Sequence, residues 1–232
     1  MSNCTNCSHT IPEPAHYCNY CGQSTVCFER PFRPVFTDML HETLDIDGRM
    51  IKTVKTLIAK PGMLSLEYCR GKRMMYTPPL RMYLVVSILF FLLWAAIDSA
   101  SGQTSATTEH YPKLMFCLLP VFALILQMLF KKTYYLSNLI FAIHIHCIGY
   151  LVFLVEMFLN SVRVFSPDSG LEYIVALLRL PFDIYLLVYC ALALKRNYGY
   201  NWRWTMIKYV MLLLLYFAVI SVSVQVLLAL VE

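Results

Sequence analysis

Charge is what this chain has least of. Acidic and basic side chains make up 14% of its 232 residues, well below the quarter usual for a soluble domain. With 59% hydrophobic residues, that scarcity excludes an ordinary soluble globule and points to a bilayer as solvent. Chemistry-bearing motifs are also missing. The chain has no P-loop, no dinucleotide-binding glycine fingerprint and no Gly-x-Ser-x-Gly nucleophile elbow. No basic segment followed by an apolar run opens the chain, so a secretory signal is not expected. The first residues should then stay in a reducing cytosol, where clustered cysteines hold metal rather than disulfides. Histidine is sparse, and only one long apolar segment contains any, His144 and His146. A haem held by histidines from two spans of one chain is therefore excluded.

What charge there is lies unevenly. Residues 1–29 sum to −2, residues 30–83 to +5 and residues 84–232 to +2. The positive block sits just ahead of the first apolar segment, where anionic lipid headgroups would attract it. The cysteine-rich head is the part that is not basic, which argues against nucleic acid as its partner.

That head reads Cys4-Thr-Asn-Cys7, ten residues, then Cys18-Asn-Tyr-Cys21-Gly22. Two CxxC knuckles can close a tetrahedral thiolate shell, and Zn2+ is the ion this spacing suits. So short a head cannot bury enough core to fold alone, so the metal supplies the stability. A redox pair is the rival reading, but that would want one CxxC beside a βαβ pattern. His9 and His16 are surplus to four thiolates, and Cys27 falls outside the spacing.

Residues 31–34 read as an extended proline linker and 35–44 as a short helix. His41-Glu-Thr-Leu-Asp45 partly echoes a zinc-protease HExxH, without the second histidine or a third ligand. Asp45-Ile-Asp47-Gly48 begins like a calcium loop, without the closing glutamate. A polar helix end and a turn explain both. At 100° per residue, the helix expected over 49–60 gathers Met50, Ile51, Val54, Leu57 and Ile58 on one arc. Arg49, Lys52, Thr53, Thr56 and Lys60 fall opposite, with Lys55 at the edge. Pro61-Gly62 stops it, and a second short helix over 63–69 leads to Arg70, Lys72 and Arg73. Two readings remain open: basic amphipathic helices lying in the headgroup layer, or a soluble helical hairpin that binds protein.

Five spans are expected, at 79–97, 114–130, 136–159, 171–194 and 206–231. The fold class is thus mainly α: a polytopic helical membrane bundle of about five spans, with basic juxtamembrane helices and a small N-terminal zinc ribbon. Three units follow: a cytoplasmic head at 1–30, linker and interfacial helices at 31–78, and a membrane domain at 79–232. Positive connections alternate with neutral ones, so the N-terminus is expected inside and Glu232 outside. Arg179 and Pro181 interrupt the fourth span, whose continuity stays open.

Charges inside spans are expensive and face a partner or water. Arg179 and Asp183, four apart, share a helix face and can neutralise each other, and Glu156 of the third span could reach Arg179. The trio could line a polar cavity for an anion or fix helix register as a buried ion pair. His144 and His146 lie about 200° apart on a helix, so one metal cannot take both. His144 shares a face with Cys147 and could meet its copies in a homo-oligomer, handle a proton or metal, or make an interhelical hydrogen bond.

In this order of features the chain resembles a bacterial family known only as a domain of unknown function. Its members look like CxxC…CxxCG zinc ribbons followed by a juxtamembrane motif and several spans. The residues that carry the resemblance are Cys4, Cys7, Cys18, Cys21 and Gly22; Leu44-Asp45-Ile-Asp47-Gly48; Lys60-Pro61-Gly62; and Glu67-Tyr68-Cys69-Arg70-Gly71-Lys72-Arg73. Tyr76, Pro79 and Ile143-His144-Ile145-His146 match as well, while Cys69 stands where leucine is expected. The resemblance implies the architecture and no activity. The expectation is a non-enzymatic inner-membrane scaffold or regulator whose zinc ribbon docks a cytoplasmic protein. Alternatives are a transporter or channel for a small anionic or lipidic solute, and a membrane-embedded lipid-acting enzyme.

Overall fold

The computed structural model describes residues 2–12, 15–25, 49–101, 110–131, 133–164 and 172–231. The linker and helix expected at 31–44, the His41–Asp45 pattern, the turn at 45–48 and Cys27 lie outside the described residues. In the head, β1 (Ser2–Asn3) pairs antiparallel with β2 (Thr10–Ile11), and a single bridge joins Tyr17 to Ser24. Seven helices follow among the described residues: α1 (Met50–Ala59), α2 (Met63–Cys69), α3 (Pro79–Ser101), α4 (Tyr111–Leu129), α5 (Tyr135–Val164), α6 (Glu172–Tyr198) and α7 (Trp202–Val231).

The last five are long and apolar enough to cross a membrane. Their ends lie within five residues of the apolar segments, because a helix continues into the headgroup layer after its hydrocarbon-facing residues stop. The fourth span is continuous: α6 runs through Pro181 without a break. The lost N–H is tolerated there because neighbouring groups can re-satisfy the freed carbonyl. Prolines open two other spans. Pro79 begins α3 and Pro112 lies in the first turn of α4, where no intrahelical N–H bond is forfeited.

The third span is the centre. α3, α4 and α6 all pack against α5, and α7 closes on α4 and α6. Buried residues make up 56% of the α5 apolar window but 6% of that of α7, so α5 is the core helix and α7 lies at the periphery. At the end where α4 passes into α5 and α6 into α7, Asn138 is fully buried, with both its amide nitrogen and its oxygen hydrogen-bonded. Its amide donates to Gln127 at 2.7 Å, and its carbonyl oxygen accepts from Thr133 at 2.9 Å and Tyr198 at 2.7 Å. A buried amide is tolerated when satisfied in this way, and it fixes the register of the three helices it touches. Lys208 of α7 donates to the Leu129 carbonyl at 2.7 Å, so a cation sits on the negative end of α4.

The juxtamembrane helices are more deeply engaged than their periodicity implies. α1 and α2 form a hairpin whose Pro61-Gly62 turn is held against α6. Tyr189 donates to the Leu57 carbonyl at 2.7 Å, Tyr185 to that of Ile58 at 2.8 Å and Arg196 to that of Pro61 at 2.8 Å. The first two are carbonyls that the end of α1 would otherwise leave unpaired. Gly62 adopts φ +70°, and a Cβ there would stand 2.8 Å from the Ala193 carbonyl oxygen. The face α1 buries is also rotated from the expected one. Thr53, placed on the polar side by hydropathy, is fully buried, while Ile51 is 69% exposed. Thr53 accepts from the Thr77 amide at 2.9 Å and donates to the Arg49 carbonyl at 2.9 Å. A small hydroxyl that satisfies two backbone groups can face inward where an isoleucine could not.

Gly62→Ala is expected to lower bundle stability by at least about 2 kcal/mol, from the left-handed backbone penalty plus the clash with α6. Thermal unfolding in detergent measures it. A midpoint equal to that of the unmodified chain would show that the turn is not pressed on α6.

Candidate functional site

The four cysteines of the head converge, as their spacing predicts. Their sulfurs all lie within 4.8 Å of one another, with Cys4 3.6 Å from Cys21 and Cys7 3.7 Å from Cys18. Four thiolates around a tetrahedral ion with bonds of ~2.3 Å stand ~3.75 Å apart, so the cluster has the dimensions of a metal site. The two knuckles are built alike. Ser8 N–H donates to Cys4 O and Gly22 N–H to Cys18 O, both at 2.9 Å; Cys4 N–H donates to His9 O and Cys18 N–H to Gln23 O, both at 2.8 Å. Each knuckle closes on a left-handed residue, Ser8 at φ +63° and Gly22 at φ +72°. The second was legible as glycine; the first was missed because serine stands in its place.

The backbone also sets the charge of the sulfurs. The Cys21 and Tyr20 amides pointing at Cys18 hold its thiol down to about 6. The His9 amide favours the Cys7 thiolate in the same way, but burial and the three neighbouring thiols outweigh it and push Cys7 up to about 12. A cation in the centre removes that crowding, which is what a metal supplies. Neither spare histidine joins the set. His9 stacks on Tyr20 with ring centroids 3.8 Å apart, and His16 is exposed, its carbonyl accepting from Thr25 N–H.

The head is fastened to the loop after α2. The buried Gln23 side chain accepts from the Arg73 and Met74 amides, both at 3.3 Å. Thr5 lies on Gly71, which adopts φ +91° and where a Cβ would stand 3.2 Å from the Thr5 hydroxyl. Gln23 was not among the expected functional residues, although it follows the second knuckle directly.

The basic residues between head and bundle divide into two sets. Arg49 donates to the Met74 carbonyl at 2.6 Å, Lys72 pairs with the buried Glu67 at 2.8 Å, Arg73 lies over the Tyr68 ring and Lys52 over Tyr76. Lys55, Lys60 and Arg70 make up the second set and are exposed, as Lys52 also is above its ring.

Inside the bundle, the two histidines of α5 face different partners, as their angular separation requires. His144, buried, meets the Ser65 hydroxyl of α2 at 2.9 Å. His146 donates through Nδ1 to the Ala142 carbonyl at 2.8 Å, and its Nε2 faces the Tyr216 hydroxyl of α7 at 2.7 Å. Ser65 and Tyr216 were not singled out from sequence, because a hydroxyl on an apolar helix carries no motif. Arg179 reaches Glu156 across to α5 at 3.2 Å and Asn160 at 3.3 Å. Asp183 is exposed and lies within electrostatic reach of Glu156. The guanidinium goes to Glu156 because that carboxylate is the buried one and cannot be left without a counter-charge.

A family described as a protein of unknown function (DUF3667) matches residues 47–91. The matched segment is the α1–α2 hairpin, the loop that holds the head, and the first half of α3. The four cysteines and the later spans fall outside it. No curated protein and no solved structure matches the chain.

Cobalt titration of the chain should give the absorption of a tetrahedral four-thiolate site at one ion per chain, and Cys18→Ser should abolish it. Protons compete with the ion for sulfur, so the signal is retained above neutral pH and lost as pH falls. A Cys18→Ser chain that still gave the four-thiolate spectrum would exclude this ligand set.

Proposed function

We propose that the chain is a non-enzymatic, multi-pass inner-membrane protein whose cytoplasmic zinc ribbon docks a partner and regulates the bundle through the α1–α2 hairpin. The observation that carries this reading is the continuous contact from head to spans. Gln23 and Thr5 hold the 71–74 loop, that loop ends α2, and α2 carries Ser65 to His144. Zinc is the proposed ion because four thiolates in two knuckles suit a closed structural site without redox chemistry. The head keeps Tyr17 and Tyr20 65% and 70% exposed, and aromatic side chains of this kind anchor protein interfaces.

The proposed orientation places the head, the hairpin and the short α4–α5 and α6–α7 connections in the cytoplasm. Lys131, Lys195, Arg196, Arg203 and Lys208 cluster at that end, as the positive-inside rule asks. The exposed Lys52, Lys55, Lys60 and Arg70 would meet anionic headgroups there. The proposed division is a head at 1–30, a coupling segment at 31–78 and a membrane domain at 79–232.

A second reading, transport of a small anionic or lipidic solute, is favoured by one observation. Glu156 Oε1 and Arg179 Nε are buried with no hydrogen-bond partner, which leaves bonding capacity beside a charge pair in an apolar setting.

Native mass spectrometry of the protein extracted with its own lipids separates the two. Regulation predicts one zinc per chain and a second protein that is lost in a chain lacking residues 1–30. An unchanged set of co-purifying proteins after that deletion would sink the docking role. A retained small anion or lipid that disappears in Arg179→Ala, with the fold intact, would instead favour transport.

A further inference from the structure

Four helices, α4 to α7, contact one another in a closed cycle, and they do not fill the space they enclose. A cavity of about 310 Å³ lies between them, partly open at its rim where Phe153 and Leu213 are exposed. Voids larger than a water molecule are few in close-packed interiors, and the cost of leaving one empty grows with its volume. An apolar cavity of about 150 Å³ stays dry yet accepts benzene, and this one is twice that size.

The walls are chiefly aliphatic and aromatic: Phe122 from α4, Phe141 and Phe153 from α5, Leu186 from α6, Leu212 and Ile220 from α7. Gly149 of α5 lines it too, and a Cβ there would meet nothing within 4 Å. The space is thus held open by a glycine in the middle of the most buried helix, although glycine costs about 1 kcal/mol against alanine there.

One polar pair stands in this wall, His146 with Tyr216. Of the other hydroxyls around the cavity, Tyr209 donates to the Leu187 carbonyl at 3.1 Å, while that of Tyr150 is buried beside Tyr83 with no hydrogen-bond partner among the described residues. His146 Nδ1 must carry a proton, because the Ala142 carbonyl it faces can only accept. In the neutral ring Nε2 is then an acceptor, so Tyr216 spends its one proton on it. The Tyr216 oxygen is left as an acceptor with nothing further to give. A carbonyl or ether would meet two lone-pair bearers, whereas a hydroxyl can donate to Tyr216.

We propose that this cavity binds a lipophilic molecule bearing a hydroxyl group, its apolar body against the phenylalanine and leucine walls and its hydroxyl donating to Tyr216. The site is distinct from the Glu156–Arg179 pair and does not depend on the role assigned to the head.

The probes are para-hexylphenol and hexylbenzene, which differ only in the hydroxyl. Binding is read by native mass spectrometry and by thermal stabilisation of the full-length protein in nanodiscs. Empty nanodiscs correct for partition into lipid. The unmodified chain should bind para-hexylphenol saturably at one per chain and hexylbenzene about tenfold more weakly, the value of one hydrogen bond. Gly149→Leu, whose Cβ would meet nothing within 4 Å, puts side-chain volume into the cavity and should abolish binding of both while leaving the unfolding midpoint equal or higher. His146→Leu combined with Tyr216→Phe should bind the two probes alike. Equal affinity of both probes for the unmodified chain, undiminished binding to Gly149→Leu, or a phospholipid acyl chain already fixed in the site would each overturn the proposal.

Discussion

Gly62 rests on the backbone of Ala193, and almost every other contact of the juxtamembrane hairpin is made possible by that approach. A residue with a side chain could neither adopt the left-handed turn cheaply nor come so near a carbonyl oxygen. Because the turn fits there, Tyr185, Tyr189 and Arg196 can reach the carbonyls at the end of α1. α2 is then carried against α5, with Ser65 opposite His144. An amphipathic segment that could have lain loose on a membrane surface is thereby a structural part of the bundle. The head inherits the same fixture, because its hydrogen bonds go to the loop that ends α2.

Several polar groups elsewhere in the bundle are brought to a neighbour on a different helix. Asn138 joins α4, α5 and α6; Glu156 takes Arg179; Lys208 takes the end of α4. Among lipid-facing helices the apolar surfaces have little reason to prefer one partner over another, so packing and such bonds decide who sits beside whom. The sparse charge of the sequence is thus concentrated at positions that set helix register and at the end where the short connections lie.

Much of this was legible in the residues, and the exceptions share a cause. Apolar run length located five spans because the hydrocarbon thickness sets helix length directly, and CxxC spacing located the sulfurs because a tetrahedral shell fixes the ligand distances. Local periodicity put Thr53 on the polar face and the structure buries it, since tertiary contacts with Thr77, not hydropathy, decide that residue's side. Of the two partners that the sequence offered Arg179, Asp183 on its own helix face and Glu156 of the third span, the structure pairs it with Glu156. The Ser8 turn, the Gln23 clasp and the Tyr216–His146 pair left no trace in sequence, because each depends on which elements come together and not on spacing along one of them.

The central claim is that the four-cysteine head and the juxtamembrane hairpin are one mechanical unit. Amide hydrogen exchange of residues 60–76, compared between metal-loaded and chelator-stripped protein, tests it most directly. If the head holds the hairpin, stripping the metal should speed exchange at Arg73 and Met74, whose amides Gln23 accepts from, extend into α2, and leave the core of α5 unchanged. Identical exchange across 60–76 in both states would contradict the account and make the head an independent appendage.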